Sequence, residues 1–441
     1  MIQKHLNTLV LFIFLIPGWL HAQYGLQTAH IAESPLSIRF QPANIVSMSP
    51  VAFSYFASGG IYGGNNAFTL QGLLSNHGYI SQEAAQEMVA SIGNKFRGNF
   101  GIDMDYAIIN TKIGNRNWTF GIDQRLSFGG GASSQATIGL ALLGNKPYRG
   151  QTVGDENVNF HQIMLRSISA GTGFGNGKLR VGFRGKLIQG SRFMLLKSGS
   201  YSLFTATDGT LLDIQAEYIL EKSRQLSGLG IFDTQGFGLG VDIGMIYEAG
   251  DNMLITAAVT NLGFIAWPQT LTYANEVDIQ FEGISISSLF ADSLEAELQE
   301  SVDSLMGLLL PDSTVGKNTM SLPFTARAGL RIVLSPHAIL SPEIVYCPSP
   351  NGANTLLPIL NVSYRHVISD ALSVGCNLYG GGTDMYGFGL LATAKFPLVK
   401  RWAIHLQIAS DNLIAIIVPS LGRGFGLFGG VGFSWYETKS Q

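Results

Sequence analysis

The sequence predicts an all-β protein: a transmembrane antiparallel β-barrel of about 14 strands, in a range of roughly 12–16, with short helices in its outer loops. Three observations predict this fold. One hairpin alternates apolar and small residues with period two, the charged fraction is low, and the connections alternate between short and long.

The alternation is clearest over residues 236–267. Aromatic and aliphatic residues occupy one parity from Phe237 to Tyr247, while the other parity holds glycines and the carboxylate of Asp242. Successive side chains of a strand point to opposite faces, so one face is apolar and the other is small and polar. A turn at 249–252 follows, and the pattern then resumes. An apolar outer face with a small, polar inner face is typical of a transmembrane barrel hairpin.

Composition supports the same interpretation. Charged residues make up 13% of the chain, against about 25% in soluble domains. Beyond the first 22 residues the sequence has no apolar run of about 18 residues, so it predicts no spanning helix. Lipid accepts only helices or closed sheets, which leaves the barrel. The net charge of −3 gives no electrostatic basis for binding nucleic acid.

The N-terminus is predicted to be a secretory signal peptide over residues 1–22. A weakly basic start precedes an apolar run from Leu9 to Ile16, and Leu20-His21-Ala22 forms a small-residue cleavage site. Residues 23–50 contain three prolines and little periodicity. We interpret them as an extended N-terminal segment that plugs or lines the lumen.

The barrel is predicted to occupy residues 51–436, with a tail at 437–441. Besides the 236–267 hairpin, strands are predicted at 51–59, 100–108, 118–128, 158–173, 178–189, 197–206, 211–221, 321–334, 337–346, 357–367, 371–379, 385–397, 400–411 and 425–436. This count gives about 16 strands. The pair at 197–221 has the weakest pattern and the first strand is short, so we expect about 14.

The connections between these strands alternate in length. Short ones fall at 113–116, 174–177, 249–252, 335–337, 368–370 and 398–399, and long ones fall at 60–97, 129–157, 268–320, 347–356 and 412–424. Outer-membrane barrels have short periplasmic turns and long outer loops, so the long connections are expected outside the cell.

Two helices are predicted in the long connections. One is a short helix at 81–95, and the other is an acidic amphipathic helix at 289–309 within the extracellular insertion 268–320. The apolar face of the second helix carries Leu294, Leu298, Val302 and Leu305. This face either packs as a lid on the outer loops or docks a partner protein.

Four segments carry a family resemblance: Gly238-Leu239-Gly240-Val241-Asp242, Asn261 to Trp267, Leu322-Pro323 and Ala409-Ser410-Asp411-Asn412-Leu413. They resemble an uncharacterised family of Bacteroidota outer-membrane β-barrels, distantly similar to FadL-like and PorV/PorP-like proteins. Gln41-Pro42-Ala43-Asn44 is also similar to the Asn-Pro-Ala signature of FadL-like barrels, with Gln41 in place of the asparagine.

The resemblance implies an outer-membrane location, with membrane lipid as a partner. It also implies one of two functions. The first is passage of hydrophobic or amphiphilic small molecules, as in FadL-like barrels. The second is a non-transporting barrel that acts as partner or anchor in type IX secretion or gliding machinery.

The sequence contains no catalytic signature. The glycines around Gly240 keep strand parity and enter no helix, so they do not form a dinucleotide loop. Neither a G-x-S-x-G elbow nor an H-E-x-x-H motif occurs, and the histidines are scattered. His405 has lumen parity, and we interpret it as a hydrogen-bonded lumen residue. The chain is therefore not predicted to be an enzyme, and no cofactor or metal is predicted.

Charges of both signs occupy the lumen parity. They are Asp103, Asp105, Asp123, Arg125, Arg180, Arg184, Lys186, Asp242, Arg327, Arg331, Arg365 and Lys395. The signs interleave instead of forming the one-signed rings of an ion-selective pore. One interpretation is a paired network that fills a narrow lumen, with the first three aspartates bridging to Arg180, Arg184 and Arg327. The other is a basic constriction that selects anionic or carboxylate-headed cargo, unless Glu217 and Glu343 absorb the basic excess.

Overall fold

A closed antiparallel barrel of 14 strands forms the body of the protein in the computed structural model. The structure describes residues 26, 28–31, 34–47, 51–69, 82–93, 95–175, 178–224, 234–281, 313–347, 358–382, 385–399 and 401–436. The predicted fold class and strand number are confirmed.

The strands, in chain order, are β1 (Val51–Asn65), β2 (Phe96–Ile113), β3 (Arg116–Ala132), β4 (Thr152–Asp155), β5 (Asn159–Phe174), β6 (Leu179–Thr205), β7 (Leu212–Ser223), β8 (Gly236–Gly250), β9 (Met253–Phe281), β10 (Thr314–Ser321), β11 (Thr325–Ser335), β12 (Ala338–Tyr346), β13 (Ile359–Ser369), β14 (Leu372–Gly380), β15 (Tyr386–Val399), β16 (Trp402–Asn412) and β17 (Gly424–Tyr436). Each wall strand pairs with its neighbours in antiparallel register. The ring closes at β1, where Tyr55 lies opposite Phe433 of β17 and Ile109 of β2. Closure leaves no free edge in the wall, which lipid requires.

Two strands extend beyond the others at the end of the barrel that carries the long loops. β6 has 27 residues and β9 has 29. Their inner halves pair with β8, and their outer halves pair with β7, which continues the position of β8 outwards. β4 and β10 flank this sector by pairing with β6 and β9. The wall is therefore raised on one side.

The raised sector corrects several strand predictions. The strand expected at 197–206 is the continuation of β6, and the one expected at 211–221 is β7, so neither adds a strand to the wall. The first strand, expected to be short, is a full wall strand of 15 residues. The insertion expected at 268–320 begins and ends as strand, since β9 runs to Phe281 and β10 begins at Thr314.

The helices are short: α1 (Asn44–Ser47), α2 (Gln82–Ser91), α3 (Gln135–Leu143) and α4 (Ile414–Ile417). The helix predicted at 81–95 is thus confirmed with narrower bounds. α2 and α3 lie in long connections and contribute to an apolar cluster with Phe68 and Phe96. Among the described residues, no helix is both long and apolar enough to cross a membrane.

The two faces of the wall follow the predicted parity. On β8, Phe237 is 61% exposed and Leu239 is 54% exposed, whereas Asp242 is fully buried. The exposed large side chains of the wall are apolar on other strands too, including Leu360 on β13 and Leu378 on β14. The apolar parity therefore faces outwards, as the sequence indicated.

The described residues between 26 and 47 lie inside the barrel, and we call them the lumen segment. The sequence predicted an extended segment, but these residues form short helical turns. Two 3-10 turns, Thr28–His30 and Pro35–Arg39, precede α1. Leu26 packs against the long-loop end of the wall beside Tyr379, and Ser47 accepts a hydrogen bond from Arg180 near the short-turn end.

Candidate functional site

Arg39 of the lumen segment forms the first of three buried charge clusters. Its Nη1 donates to both carboxylate oxygens of Asp105 at 2.9 Å, and its Nη2 donates to Asp103 at 3.0 Å. Asp103 also accepts from Arg125 Nε at 2.9 Å. The two aspartates are on the lumen face of β2 and are almost completely buried. A guanidinium that bridges two carboxylates in this way joins the segment to the wall.

Strand register explains why a cation is needed at this point. Asp105 on β2 lies directly opposite Asp123 on β3, while Asp103 lies opposite Arg125. Like charges in register repel each other. Ser58 donates to Asp105 and Ser167 donates to Asp123, but hydroxyls do not neutralise the charge. Arg39 supplies the cation that contacts Asp105 directly.

The second cluster surrounds Asp242 on β8. Its carboxylate accepts from Arg184 at 2.7 Å, from Lys186 Nζ at 2.9 Å and from the backbone N–H of Asn261 at 2.7 Å. The β8–β9 register shifts between Val241 and Ile243, so Asp242 faces a bulge in β9.

Asn261 in that bulge has φ of 61°, which is uncommon outside glycine. Its side-chain oxygen accepts from Lys186, and its N–H is held by Asp242. The Asp242 cluster therefore fixes an irregular backbone beside the lumen.

The third cluster joins the lumen segment to β11, β12 and β13. Glu343 accepts from Arg327 Nη1 at 3.3 Å and from Asn361 Nδ2 at 3.0 Å, and it lies 3.3 Å from His30 Nε2. Arg327 also stands 5.4 Å from the centroid of the Phe40 ring. The lumen segment thus contacts opposite sides of the wall through Arg39 and His30.

A small cavity of about 40 Å³ lies between these clusters. The lumen segment, β3, β5, β6, the bulge of β9 and the β10–β11 connection form its walls. Its apolar lining includes Phe40, Leu165, Ile188, Leu322 and Pro323. Ile188 and Leu322 belong to a cluster with Trp267, which is fully buried and packs on Phe193 with ring centroids 4.6 Å apart. This cluster separates the cavity from the long-loop end.

A second cavity lies between the lumen segment and β13 to β16. Arg365 contributes to it and donates to Ser373 at 3.1 Å. Lys395 lies 4.2 Å from the centroid of the Tyr436 ring, close to His405. These cations belong to the short-turn half of the lumen.

The structure places the predicted lumen charges in different groups. It brings Arg125 to Asp103, and both Arg184 and Lys186 to Asp242. Arg180 pairs with Glu248 at 3.2 Å near the short turns. Arg331 lies on β11 beyond Arg327, towards the β11–β12 turn, while Arg365 and Lys395 line the second cavity.

The predicted bridges from Asp103, Asp105 and Asp123 to Arg180, Arg184 and Arg327 are wrong in their partners. Each arginine pairs instead with an acid on an adjacent strand. Arg180 pairs with Glu248, Arg184 with Asp242 and Arg327 with Glu343. The Cβ atoms of directly opposite residues on neighbouring strands lie about 5 Å apart. An arginine is therefore closer to an acid on the next strand than to one across the lumen.

Arg39 and His30 were missed as functional residues. Arg39 is the only Lys or Arg between residues 23 and 50. The sequence did contain a signal for Arg39. It is a lone cation in a segment that was expected to enter a lumen with several aspartates.

The partner-helix residues Leu294, Leu298, Val302 and Leu305 lie outside the described residues. Within the described part of the chain, no group of three or more His, Cys, Asp or Glu could hold a metal ion.

Comparisons with solved structures find bacterial membrane channels. The toluene transporter TodX of Pseudomonas putida is 10% identical, with 96% of this chain and 99% of that chain covered and a TM-score of 0.45. A FadL homologue of Pseudomonas aeruginosa is 11% identical, with the same coverage and a TM-score of 0.46. The toluene transporter TbuX of Ralstonia pickettii is 8% identical, with 92% and 94% covered and a TM-score of 0.43.

No curated protein matches this sequence. A family model, described as a family of unknown function (DUF5723), matches residues 42–404. The match covers most of the wall and the end of the lumen segment, and the chain belongs to this family.

Proposed function

We propose that this protein passes hydrophobic or amphiphilic small molecules across the outer membrane, through a lumen that its own N-terminal segment keeps closed. The observation that carries the proposal is the small cavity inside the barrel, which would widen if the lumen segment shifted. It lies between the lumen segment and the wall, and it combines apolar side chains such as Phe40 and Leu322 with charged ones. Binding sites for small organic molecules have this mixed lining.

The way the lumen segment is attached supports movement. Within the described residues, no backbone–backbone hydrogen bond joins the segment to the wall. Its attachments use side chains, such as the Arg39 ion pairs, the His30–Glu343 contact and the hydrogen bond from Ser34 to Gln407. The segment can therefore shift while the strand ladder of the wall stays intact.

The wall supports a placement in the outer membrane. Its apolar exterior requires a lipid environment, and short turns of outer-membrane barrels face the periplasm. In this proposal, residues 1–22 direct export and the raised sector of β6, β7 and β9 projects outside the cell. The cavity then lies in the lumen, with the second cavity on its periplasmic side.

Uptake in a Gram-negative host that lacks its own hydrophobic uptake channel tests the proposal. Expression of the protein should raise the initial uptake rate of radiolabelled decanol over that of an empty vector. Uptake of sucrose should stay unchanged, because in this proposal the lumen segment closes the aqueous path. A folded, membrane-inserted protein that does not raise decanol uptake would overturn the proposal.

Gly182→Val provides a test of the closed lumen. A Cβ at Gly182 would lie 2.2 Å from the carbonyl oxygen of Pro42, so a side chain there displaces the lumen segment. The variant should admit sucrose as well as decanol. The matched control is Gly185→Val on the lipid face of the same strand, where the nearest atom is 4.0 Å away. Equal sucrose uptake by the two variants would show that the segment does not close the lumen.

A further inference from the structure

A groove crosses the outer face of the wall on the side formed by β13 to β17. It encloses about 570 Å³, which is within the range of about 300–1,000 Å³ typical of sites for small molecules. Ala392 on β15 lies between Val374 and Ile408 in the strand register, and Cys376 on β14 lies on the same face. Small side chains between larger ones therefore leave a depression in the lipid-facing surface.

The groove rises from the short-turn end of the barrel to the long-loop end. His366 lines its lower end, close to the end of β13 at Ser369, and Leu413 lines its upper end, just beyond β16. Leu390 and Leu427 contribute to the apolar lining between these ends. The groove therefore runs across the hydrocarbon layer that the apolar exterior of the wall requires.

The lower end carries aromatic polar groups. Tyr364 and His366 have stacked rings there, and the Tyr364 hydroxyl lies 3.2 Å from His366 Nδ1. His337, next to the start of β12, has its ring centroid 6.5 Å from that of His366. All three side chains are exposed. Among the described residues that line the groove there is no lysine, arginine or carboxylate, so the lower end suits a polar group without a net charge.

The two histidines offer opposite hydrogen-bonding groups to a ligand. His337 Nδ1 lies 2.9 Å from the carbonyl oxygen of Val367, which only accepts, so Nδ1 carries the proton of the neutral ring and Nε2 is an acceptor. At His366 we assign the Tyr364 hydroxyl as donor to Nδ1, which leaves the ring proton on Nε2. A donor beside an acceptor fits a phosphate that is followed by a primary ammonium group.

We propose that this groove binds one molecule of phosphatidylethanolamine from the periplasmic leaflet. An acyl chain lies on Ala392, His366 Nε2–H donates to the phosphate, and His337 Nε2 accepts from the ammonium. The polar groups lie at the short-turn end, which places the head group on the periplasmic side. At the upper end the neighbouring α4 exposes Ile416 and Ile417, which offer nothing to a phosphate. The site lies outside the lumen and does not depend on passage through it.

Native mass spectrometry of the full-length protein, released from lipid nanodiscs, measures the retained lipid. The nanodiscs contain equal amounts of phosphatidylethanolamine, phosphatidylcholine and phosphatidylglycerol with identical acyl chains. The methylated nitrogen of phosphatidylcholine cannot donate, and phosphatidylglycerol has no nitrogen. One phosphatidylethanolamine per barrel should be retained about tenfold more than either of the others, a factor typical of one charge-assisted hydrogen bond. Equal retention of the three lipids would overturn the head-group assignment.

Variants locate the site. His366→Phe and His337→Phe each keep a ring and remove one head-group contact, so each should lower phosphatidylethanolamine retention about tenfold. Ala392→Leu fills the groove and should lower the retention of all three lipids. The matched control is Ala170→Leu on β5, an exposed position on the lipid face opposite Gly185, and it should change nothing. Unchanged retention in Ala392→Leu, or an equal loss in Ala170→Leu, would overturn the groove.

Two other adducts would also overturn the proposal. Lipopolysaccharide as the main adduct of the protein released from native membranes would place the site in the outer leaflet. A second copy of the chain, lost in Ala392→Leu, would make the groove a dimer interface. Heat-dependent gel mobility checks that each variant is folded.

Discussion

Replacing Arg39 with methionine should weaken the docking of the lumen segment in the barrel by several kcal/mol, about the cost of breaking a buried ion pair. The change leaves Asp105 buried, without its guanidinium and opposite Asp123. Removing one partner of a buried ion pair typically costs about 3–5 kcal/mol. If the segment undocks before the wall unfolds, its docking equilibrium should fall by roughly 100-fold to several thousand-fold.

A double-mutant cycle with Asp105→Asn separates this electrostatic cost from lost packing. Asp105→Asn alone leaves Arg39 paired with Asp103 and removes one of two facing carboxylates, so it should cost less, about 1.5–3 kcal/mol. The double variant removes both the cation and the acid that needed it. It should be more stable than the sum of the singles predicts, by about 1–3 kcal/mol.

The measurement is urea unfolding in phospholipid vesicles, combined with hydrogen–deuterium exchange resolved by segment. In Arg39→Met, residues 34–47 should lose protection before wall strands such as β13 do. Lys395→Met is the control, since Lys395 contacts the Tyr436 ring and has no ion-pair partner among the described residues. It should cost about 0.5–1 kcal/mol. Strictly additive single variants, or unchanged exchange in residues 34–47, would refute the docking role of Arg39.

Three other changes address facing, closure and the outer loops. Val241→Arg on the lipid face should cost about 2–4 kcal/mol in vesicle unfolding, whereas Gly240→Ser on the lumen face should be mild; the reverse order would mean that the parity is assigned inside out. The purified protein should conduct ions poorly in planar bilayers and Gly182→Val should conduct more, so a large, steady wild-type conductance would contradict a closed lumen. At the start of α3, burial raises the pKa of Asp155, but the hydrogen bonds from Ser133, Asn157, Thr137 and Ser134 together outweigh it and hold the pKa below its usual value. Because the folded pKa is depressed, the stabilisation is present above about pH 3.9 and is lost as the pH falls below it. The protection factor of the Ser134 amide, which is the exchange rate relative to the intrinsic rate at the same pH, should therefore fall below this pH in the wild type but not in Asp155→Asn.

The sequence was sufficient for the wall because lipid imposes one simple pattern. Each spanning strand needs an apolar outer parity, and a period of two places Phe237, Leu239 and Ile243 on one face whatever their neighbours are. The same reasoning failed for the outer parts of β6 and β9. Beyond the membrane neither face must be apolar, so the alternation that marks a strand fades while the backbone pairing continues.

The site was less predictable because its contacts join distant parts of the chain. Parity placed Asp103 and Arg125 in the lumen, and strand adjacency brought them together. The contact between Arg39 and Asp105 spans 66 residues and depends on how the lumen segment folds. The 3-10 turn that carries Arg39 has no periodic signal. The left-handed backbone of Asn261 is likewise set by Asp242 and not by local sequence.

The lumen segment is therefore part of what makes the wall stable. β2 and β3 place Asp105 against Asp123, an arrangement that costs free energy in an empty barrel and that neither strand can relieve. Arg39 relieves it from outside the sheet, and Arg125 and Lys186 remain directed at the cavity because buried acids hold them from behind. A barrel without the segment would lose the cation that contacts Asp105, while Asp123 would keep Lys186 and Arg184 nearby. We infer that closing the lumen and balancing the charge of β2 and β3 are one event, so that any ligand that moves the segment must compensate Asp105 as well.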